Sequence, residues 1–306
     1  MKIIYGINNI RKARKPVVAL GVFDGVHRGH RKILRAAVSK AREIKGTSVV
    51  LTFWPHPQRE ESLYSLEHRL RIISGLGVDI CVVINFSRHF AKVKAKDFIK
   101  DILVNKLGAG YVYVGRDFRF GNKAQGDIAL LKKSGQVYGF QAKGFNIIKV
   151  RGLPISSTLI RALIRKGNIK EAEKLLAQPV SILGTVIRGT RLGRILGYPT
   201  ANIDPHHEVI PASGIYAVRI ILGENKFKGA CYIGKRPTVR KHLRINDQKK
   251  NINVEVYIFD FHQNIYGKYL EIRFSQKIRP DKKFPSLALL AAQIQKDVIS
   301  AKKILA

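Results

Sequence analysis

The sequence predicts an α/β chain in two parts. A parallel sheet flanked by helices fills the N-terminal part, and an antiparallel barrel or sandwich with a closing helix follows. Three observations predict this. Short, nearly all-apolar runs at residues 17–20, 49–53, 80–84 and 111–114 alternate with segments of helical spacing. That is the pattern of βαβ units whose sheet is covered on both faces. Around Ala177-Gln178-Pro179 the helices give way to short alternating runs at 180–187, 216–222, 230–233, 253–259 and 269–274. Residues 285–305 then return to helical spacing, with Leu287, Leu290, Ile294, Val298 and Ile299 on one side.

The elements follow in order. Residues 1–16 are short and basic, and Pro16 stands just ahead of the first strand. Ile33, Leu34, Ala37, Val38, Ala41 and Ile44 mark the first helix. The second strand, 49–53, ends in Trp54-Pro55-His56-Pro57, where two prolines stop strand and helix alike. Helices are expected over 66–76 and 95–107, and a weaker fifth strand over 144–150. Farther on, Gly223-Glu224-Asn225-Lys226 has the composition of a hairpin turn.

Composition narrows the function classes. The 306 residues are 45% hydrophobic and 25% charged, a globular balance with room for two domains. No apolar run reaches the ~18 residues of a membrane span, and Met1-Lys2-Ile3-Ile4-Tyr5 contains no signal core. Cys81 and Cys231 are far apart in sequence and form neither a metal cluster nor a disulfide framework, so a reducing cytoplasm is expected. The net charge is +35. Such a charge attracts polyanions, ATP among them. The basic residues are spread along the whole chain, which favours a general bias over a dedicated nucleic-acid stripe. No specific nucleic acid and no membrane are expected as partners, and oligomeric state stays open.

The first chemical stretch is Gly21-Val22-Phe23-Asp24-Gly25-Val26-His27-Arg28-Gly29-His30. It lies between the first strand and the first helix. A helix start offers unpaired N–H groups and a positive dipole end to phosphate, and glycines let a bulky ligand approach the backbone. Two imidazoles there can hydrogen-bond phosphate oxygens as charge builds up in a transfer. The spacing is neither that of the P-loop nor that of the dinucleotide fingerprint. It matches the His-x-Gly-His signature of nucleotidylyltransferases. Further candidate residues fall at other strand ends, in Trp54-Pro55-His56-Pro57 and in Gly115-Arg116-Asp117-Phe118-Arg119-Phe120-Gly121. Open α/β sheets bind ligands at such ends. Ser156 or Ser157 suits an N-cap, and with Thr158 and Arg161 the same stretch suits an ATP phosphate tail.

The second set lies in the all-β part. Residues 184–194 are rich in glycine and arginine, a combination suited to nucleotide phosphates. They precede Pro199-Thr200-Ala201-Asn202. Thr200 and Asn202 share one face of an extended chain and present hard oxygen ligands of the kind Mg²⁺ takes together with phosphate. Glu255 is a carboxylate among β-formers. Facing the barrel opening, it is placed to take a proton from a hydroxyl nucleophile. The competing reading is a solvent-facing glutamate opposite a core face of Val254, Val256 and Ile258, and strand parity leaves both open.

Taken together, these stretches resemble the bifunctional prokaryotic riboflavin kinase/FMN adenylyltransferase (FAD synthetase) family. Residues 21–30, 52–57, 115–121, 155–161, 184–202, 229–238, 255–267 and 278–284 match in the family's order. The resemblance implies an N-terminal nucleotidylyltransferase Rossmann-like domain over 1–178. It implies a six-stranded antiparallel riboflavin kinase barrel with a C-terminal helix over 179–306. It further implies phosphorylation of riboflavin to FMN by Mg-ATP, then adenylylation of FMN to FAD with release of pyrophosphate. In the N-terminal half His27 and His30 would act on the transferring phosphate. Gly21, Phe23, Asp24, Ser156, Ser157, Thr158 and Arg161 would hold ATP. Phe53, Pro55, His56, Pro57 and Asp117 would serve the flavin. In the C-terminal half Gly184, Gly189, Gly193, Arg194, Pro199, Thr200 and Asn202 would bind ATP, with Thr200 and Asn202 on the metal. Glu255 would be the base, and Arg279 and Phe284 would meet the flavin. One departure is Asp281, where the family more often has Glu. The alternatives are a nucleic-acid-binding protein on a nucleotidyltransferase-like scaffold, and a relative with a single activity.

Overall fold

In the computed structural model the described residues are 1–57, 61–150, 152–189, 192–206, 208–235 and 252–306. The basic loop 240–250 lies outside them. They form two compact units, Met1–Ser157 and Thr158–Ala306.

The first unit is built on β1 (Lys2–Tyr5), β2 (Pro16–Leu20), β3 (Thr47–Trp54), β4 (Ile80–Asn85), β5 (Tyr111–Gly115) and β6 (Gln141–Phe145). They pair in parallel in the order β1-β4-β3-β2-β5-β6. Its helices are α1 (Arg28–Glu43), α2 (Leu66–Ser74), α3 (Ala95–Asp97), which runs on as a π-helical stretch Phe98–Lys106, and α4 (Ile128–Tyr138). Alternation along the strands sorts side chains to two cores. Val17, Ala19 and Val50 pack with Ile33, Leu34 and Ala37 of α1 on one face. Val18, Leu20 and Leu51 pack with Phe98, Ile99 and Leu103 on the other. Each fully buried aliphatic chain contributes roughly 1.5–3 kcal/mol of transfer free energy. The chain builds outward from β2 in one direction through β3 and β4, then in the other through β5 and β6. The carboxyl end of β2 is therefore the switch point, where open sheets leave a crevice.

Three details differ from the sequence expectation. Residues 1–16, read only as a basic lead-in, contain the edge strand β1, too short to show a period. The fifth expected strand is displaced. Pairing with β5 runs over Gln141–Phe145, while Lys149–Val150 (β7) pairs with Leu153–Pro154 (β8) in a separate two-stranded sheet. The expected strand at 230–233 is part of a much longer one, because its hairpin with the preceding strand stays in register to the turn.

The second unit contains α5 (Ser157–Arg165, its first residue in the first unit), α6 (Ile169–Leu176) and a closed barrel. The barrel strands are β9 (Ser181–Ile187), β10 (Thr200–Asp204), β11 (Gly214–Leu222), β12 (Asn225–Lys235), β13 (Ile252–Ile258) and β14 (Tyr269–Arg279), in the order β10-β13-β12-β11-β14-β9. A short helix α7 (Leu192–Ile195) precedes β10, and α8 (Leu287–Leu305) closes the unit, burying Ala301 and Leu305 against Ala217 and Phe259. Closure removes the sheet edges that an open antiparallel sheet would expose.

Candidate active sites

The turn after β2 is held rigidly. Phe23 takes a left-handed backbone (φ 53°) with its ring 1% exposed, and Gly25 and Val26 also have positive φ. His27 caps α1, its Nδ1 accepting the His30 N–H at 3.4 Å. The two imidazoles stack with centroids 3.6 Å apart, and the Phe23 ring meets His30 edge-on at 5.4 Å. Gly29 lies close beside them, and a Cβ there would stand 3.1 Å from the His27 ring. Burial pushes His27 down to about 4. Burial, then His27, then Arg69 push His30 well below the usual imidazole range. Both rings are therefore neutral at pH 7, able to donate N–H bonds to phosphate oxygens.

Several expected ligand residues turn out to have structural partners. Asp24 is 2% exposed and its Oδ1 accepts the Leu63 N–H at 2.8 Å, so the carboxylate anchors a neighbouring loop. Phe53 is 5% exposed, with its ring packed on Phe86 and Phe90 in the core, because strand parity turns it inward. Gly21 is buried, and a Cβ on it would press on the Phe23 ring at 3.0 Å. Pro55, His56 and Pro57 follow the end of β3, with His56 and Pro57 half-buried. Asp117 is exposed in the turn after β5. Ser156 is exposed, and the Ser157 hydroxyl donates to the Asp24 carbonyl at 3.0 Å. In the second unit Thr158 is exposed, while Arg161 is 5% exposed and its Nη2 donates to Thr158 Oγ1 at 3.1 Å. Arg69 lies outside every motif of the sequence. It is buried and linked to both turns, and no local pattern marks a lone arginine on an amphipathic helix.

In the barrel, β10 and β13 run antiparallel with Asn202 opposite Glu255 and Thr200 opposite Tyr257. Thr200, Asn202 and Glu255 thus share one face. Val254, Val256 and Ile258 point the other way into the core, 1%, 0% and 4% exposed. Glu255 faces outward, as parity allowed, yet it is half-buried and both its oxygens are engaged. Thr200 Oγ1 donates to Oε2 at 3.0 Å, and Asn253 Nδ2 donates to Oε1.

The glycines here leave room for these side chains. A Cβ on Gly189 would overlap the Asn202 carboxamide. One on Gly193 would stand 2.5 Å from the Tyr198 carbonyl and 3.1 Å from Thr200 Oγ1. Gly184 lies inside β9, buried, and a Cβ on it would overlap the Asp204 carbonyl. Close strand packing accounts for a glycine at this position. A cleft of about 380 Å³ opens beside Thr200, with Arg194 and Pro199 on one wall and His262, Gln263 and Asn264 on another.

On β14, Arg279 forms a forked ion pair with Asp297 of α8, Nε at 2.9 Å and Nη2 at 2.8 Å, and lies 5.6 Å from the Phe284 ring. Tyr232, directly opposite Glu255 on β12, donates to Asp281 Oδ2 at 3.3 Å. Burial, then Asp281, push the Tyr232 phenol up to about 12.

Comparison with known proteins fits both halves. A family model described as FAD synthetase matches residues 9–159, and one described as riboflavin kinase matches residues 176–305. Proteins named bifunctional riboflavin kinase/FMN adenylyltransferase are similar along their whole length. The one from Escherichia coli K12 is 37% identical over 99% of this chain and 97% of its own. The one from Haemophilus influenzae is 37% identical over 99% and 98%. A solved Streptococcus pneumoniae structure, described as a macrolide-efflux protein, covers 97% of both chains at 30% identity with a TM-score of 0.82. Among the described residues no helix is long and apolar enough to cross a membrane. The chain belongs to the bifunctional riboflavin kinase/FMN adenylyltransferase family.

Proposed function

We propose that the family's two reactions are divided within this chain, FMN adenylylation in residues 1–178 and riboflavin phosphorylation in residues 179–306. The chain is a riboflavin kinase and FMN adenylyltransferase, converting riboflavin to FMN and FMN to FAD with ATP. The observation that carries the residue assignment is the meeting of Thr200 and Glu255 on the outer barrel face beside a cleft.

In the kinase step Glu255 takes the proton of the riboflavin 5′-hydroxyl. The oxygen then attacks the γ-phosphorus of ATP, the bond to the β,γ-bridging oxygen breaks, and FMN and ADP result. The cleft suits the nucleotide, with Arg194, Pro199 and Gly193 beside the phosphates. Thr200 and Asn202 offer only oxygen donors for a cation, and a hydroxyl and a carboxamide suit Mg²⁺ better than a softer metal. Held by Thr200 and Asn202 together with ATP, Mg²⁺ would supply positive charge to the phosphate oxygens. Arg279 and Phe284 receive the flavin.

In the adenylylation step an FMN phosphate oxygen attacks the α-phosphorus of a second ATP, and pyrophosphate leaves. No covalent enzyme intermediate is needed, since positioning and charge stabilisation carry phosphoryl chemistry. His27 and His30 donate to the transferring phosphate. Ser156, Ser157, Thr158 and Arg161 hold the nucleotide phosphates, and Pro55, His56, Pro57 and Asp117 serve the flavin side. The partners are small molecules, and a cytoplasmic location matches these substrates.

The test is incubation of the purified chain with riboflavin, ATP and MgCl₂, followed by chromatography of the flavins, with FMN supplied in a parallel reaction. FMN and then FAD are expected. Failure to form FMN from riboflavin, or failure to convert supplied FMN to FAD, would overturn the reading.

A further inference from the structure

No sequence motif announces Arg69. It sits on α2, is 1% exposed, and is the largest fully buried side chain among the described residues. Its Nη1 donates to the Val22 carbonyl at 2.6 Å and its Nη2 to the Phe53 carbonyl at 3.1 Å. Val22 opens the histidine turn, and Phe53 precedes the Trp54-Pro55-His56-Pro57 turn. The guanidinium lies 5.4 Å from the Trp54 ring. Its Nε and the buried Nδ1 of His30 have no hydrogen-bond partner among the described residues.

A buried cation is expensive to desolvate, and a well-packed apolar residue often stabilises such a position better. Arginine also does not escape the cost by losing its proton. Simple filling of the core therefore does not account for this residue.

We propose that Arg69 is a positioning residue of the adenylyl-transfer site, tying the histidine turn to the end of β3 and fixing how His30 meets the nucleotide. The inference rests on the reading of His30 as a transfer-site imidazole. The groups acting on His30 are His27 from its own turn and the Arg69 cation from α2, both opposing a proton on it. Asp24, on the same turn, faces Arg69 and partly offsets its charge. His30 thus meets ATP as a neutral donor, held in place by a cation it does not touch through a hydrogen bond.

Two variants separate the tie from the charge. Arg69→Lys keeps the charge but cannot reach both carbonyls with a planar fork. Arg69→Gln keeps donors and loses the charge. The readouts are an NMR titration of the ligand-free full chain and the pH dependence of FMN-to-FAD conversion. The His30 ring proton is assigned by its loss in His30→Gln. In Arg69→Gln the His30 midpoint is expected to rise and the acid limb of FAD formation to move to higher pH. In Arg69→Lys the midpoint stays, kcat for FAD formation falls, and riboflavin phosphorylation is unchanged. An unmoved His30 midpoint in Arg69→Gln overturns the proposal. If that variant does not fold, a native kcat in Arg69→Lys overturns it alone. Retention of FAD formation by His30→Gln would instead refute the site reading, and the NMR titration does not depend on that result.

Discussion

Thr200 and Glu255 are 55 residues apart in sequence, yet Thr200 Oγ1 donates to Glu255 Oε2 at 3.0 Å across the β10–β13 pair. The bond orients one carboxylate oxygen, and Asn253 orients the other. A base held this way needs no rearrangement to accept a proton. Glu255→Gln keeps the shape and one acceptor oxygen and removes the basicity. Riboflavin phosphorylation is expected to fall by roughly 100-fold or more. Conversion of supplied FMN to FAD is expected to stay native, as measured by flavin chromatography of each step.

The glycines beside this pair supply a second expectation. Gly189→Ala places a methyl against the Asn202 carboxamide, which is 9% exposed and has little room to move. Displacement of that side chain by about 1 Å is enough to cost on the order of 100-fold in rate. The loss is expected in FMN formation only, with conversion of supplied FMN to FAD unchanged. An equal loss in both steps would mean that the clash spreads beyond the barrel.

The stacked imidazoles predict an acid sensitivity. His27 titrates near 4 in the folded chain, because burial opposes its charge, against an ordinary value of 6.5. Between those values the unfolded chain binds more protons than the folded one, so stability rises with pH across that window and is lost as pH falls through it. His27→Gln removes this term. Its stability is expected to depend less on pH between about 6.5 and 4 than that of the parent. Denaturant midpoints at several pH values measure it.

The fold was legible because its signals are local. Apolar runs of four or five residues marked β2, β3, β4 and β5, and helical spacing marked α1, α2 and α8. The His27-Arg28-Gly29-His30 and Pro199-Thr200-Ala201-Asn202 motifs were equally visible. Pairing was not visible. Nothing in the string of residues says that Glu255 will stand opposite Asn202, that Gly184 will press on Asp204, or that Arg69 will reach back to Val22. Those relations depend on register and long-range contact. The inward turn of Asp24 and Phe53 was hidden for the same reason, since motif membership does not reveal which way a side chain turns.

Removal of divalent metal separates the cation's role from the nucleotide's. Thr200 and Asn202 bring no charge of their own to the kinase site, so a cation held there also depends on phosphate oxygens. Excess EDTA is expected to stop FMN formation and restored Mg²⁺ to recover it. Thr200→Val is expected to raise the Mg²⁺ concentration needed for half-maximal rate.

Arg279 and Asp297 carry the last prediction. The carboxylate is buried, its side chain 6% exposed against 19% for the arginine, and two guanidinium nitrogens bind it. Asp297→Ala leaves Arg279 without its anion and Gln293, which also donates to Asp297, without its acceptor. Breaking such a pair costs about 3 kcal/mol, read as a lower denaturant midpoint of the barrel. The freed guanidinium also loses the orientation that sets it beside Phe284. KM for riboflavin is therefore expected to rise more than KM for ATP, because the cleft with Thr200 is lined by other strands. Equal increases in both constants would show that Asp297 supports the barrel as a whole and not its flavin side.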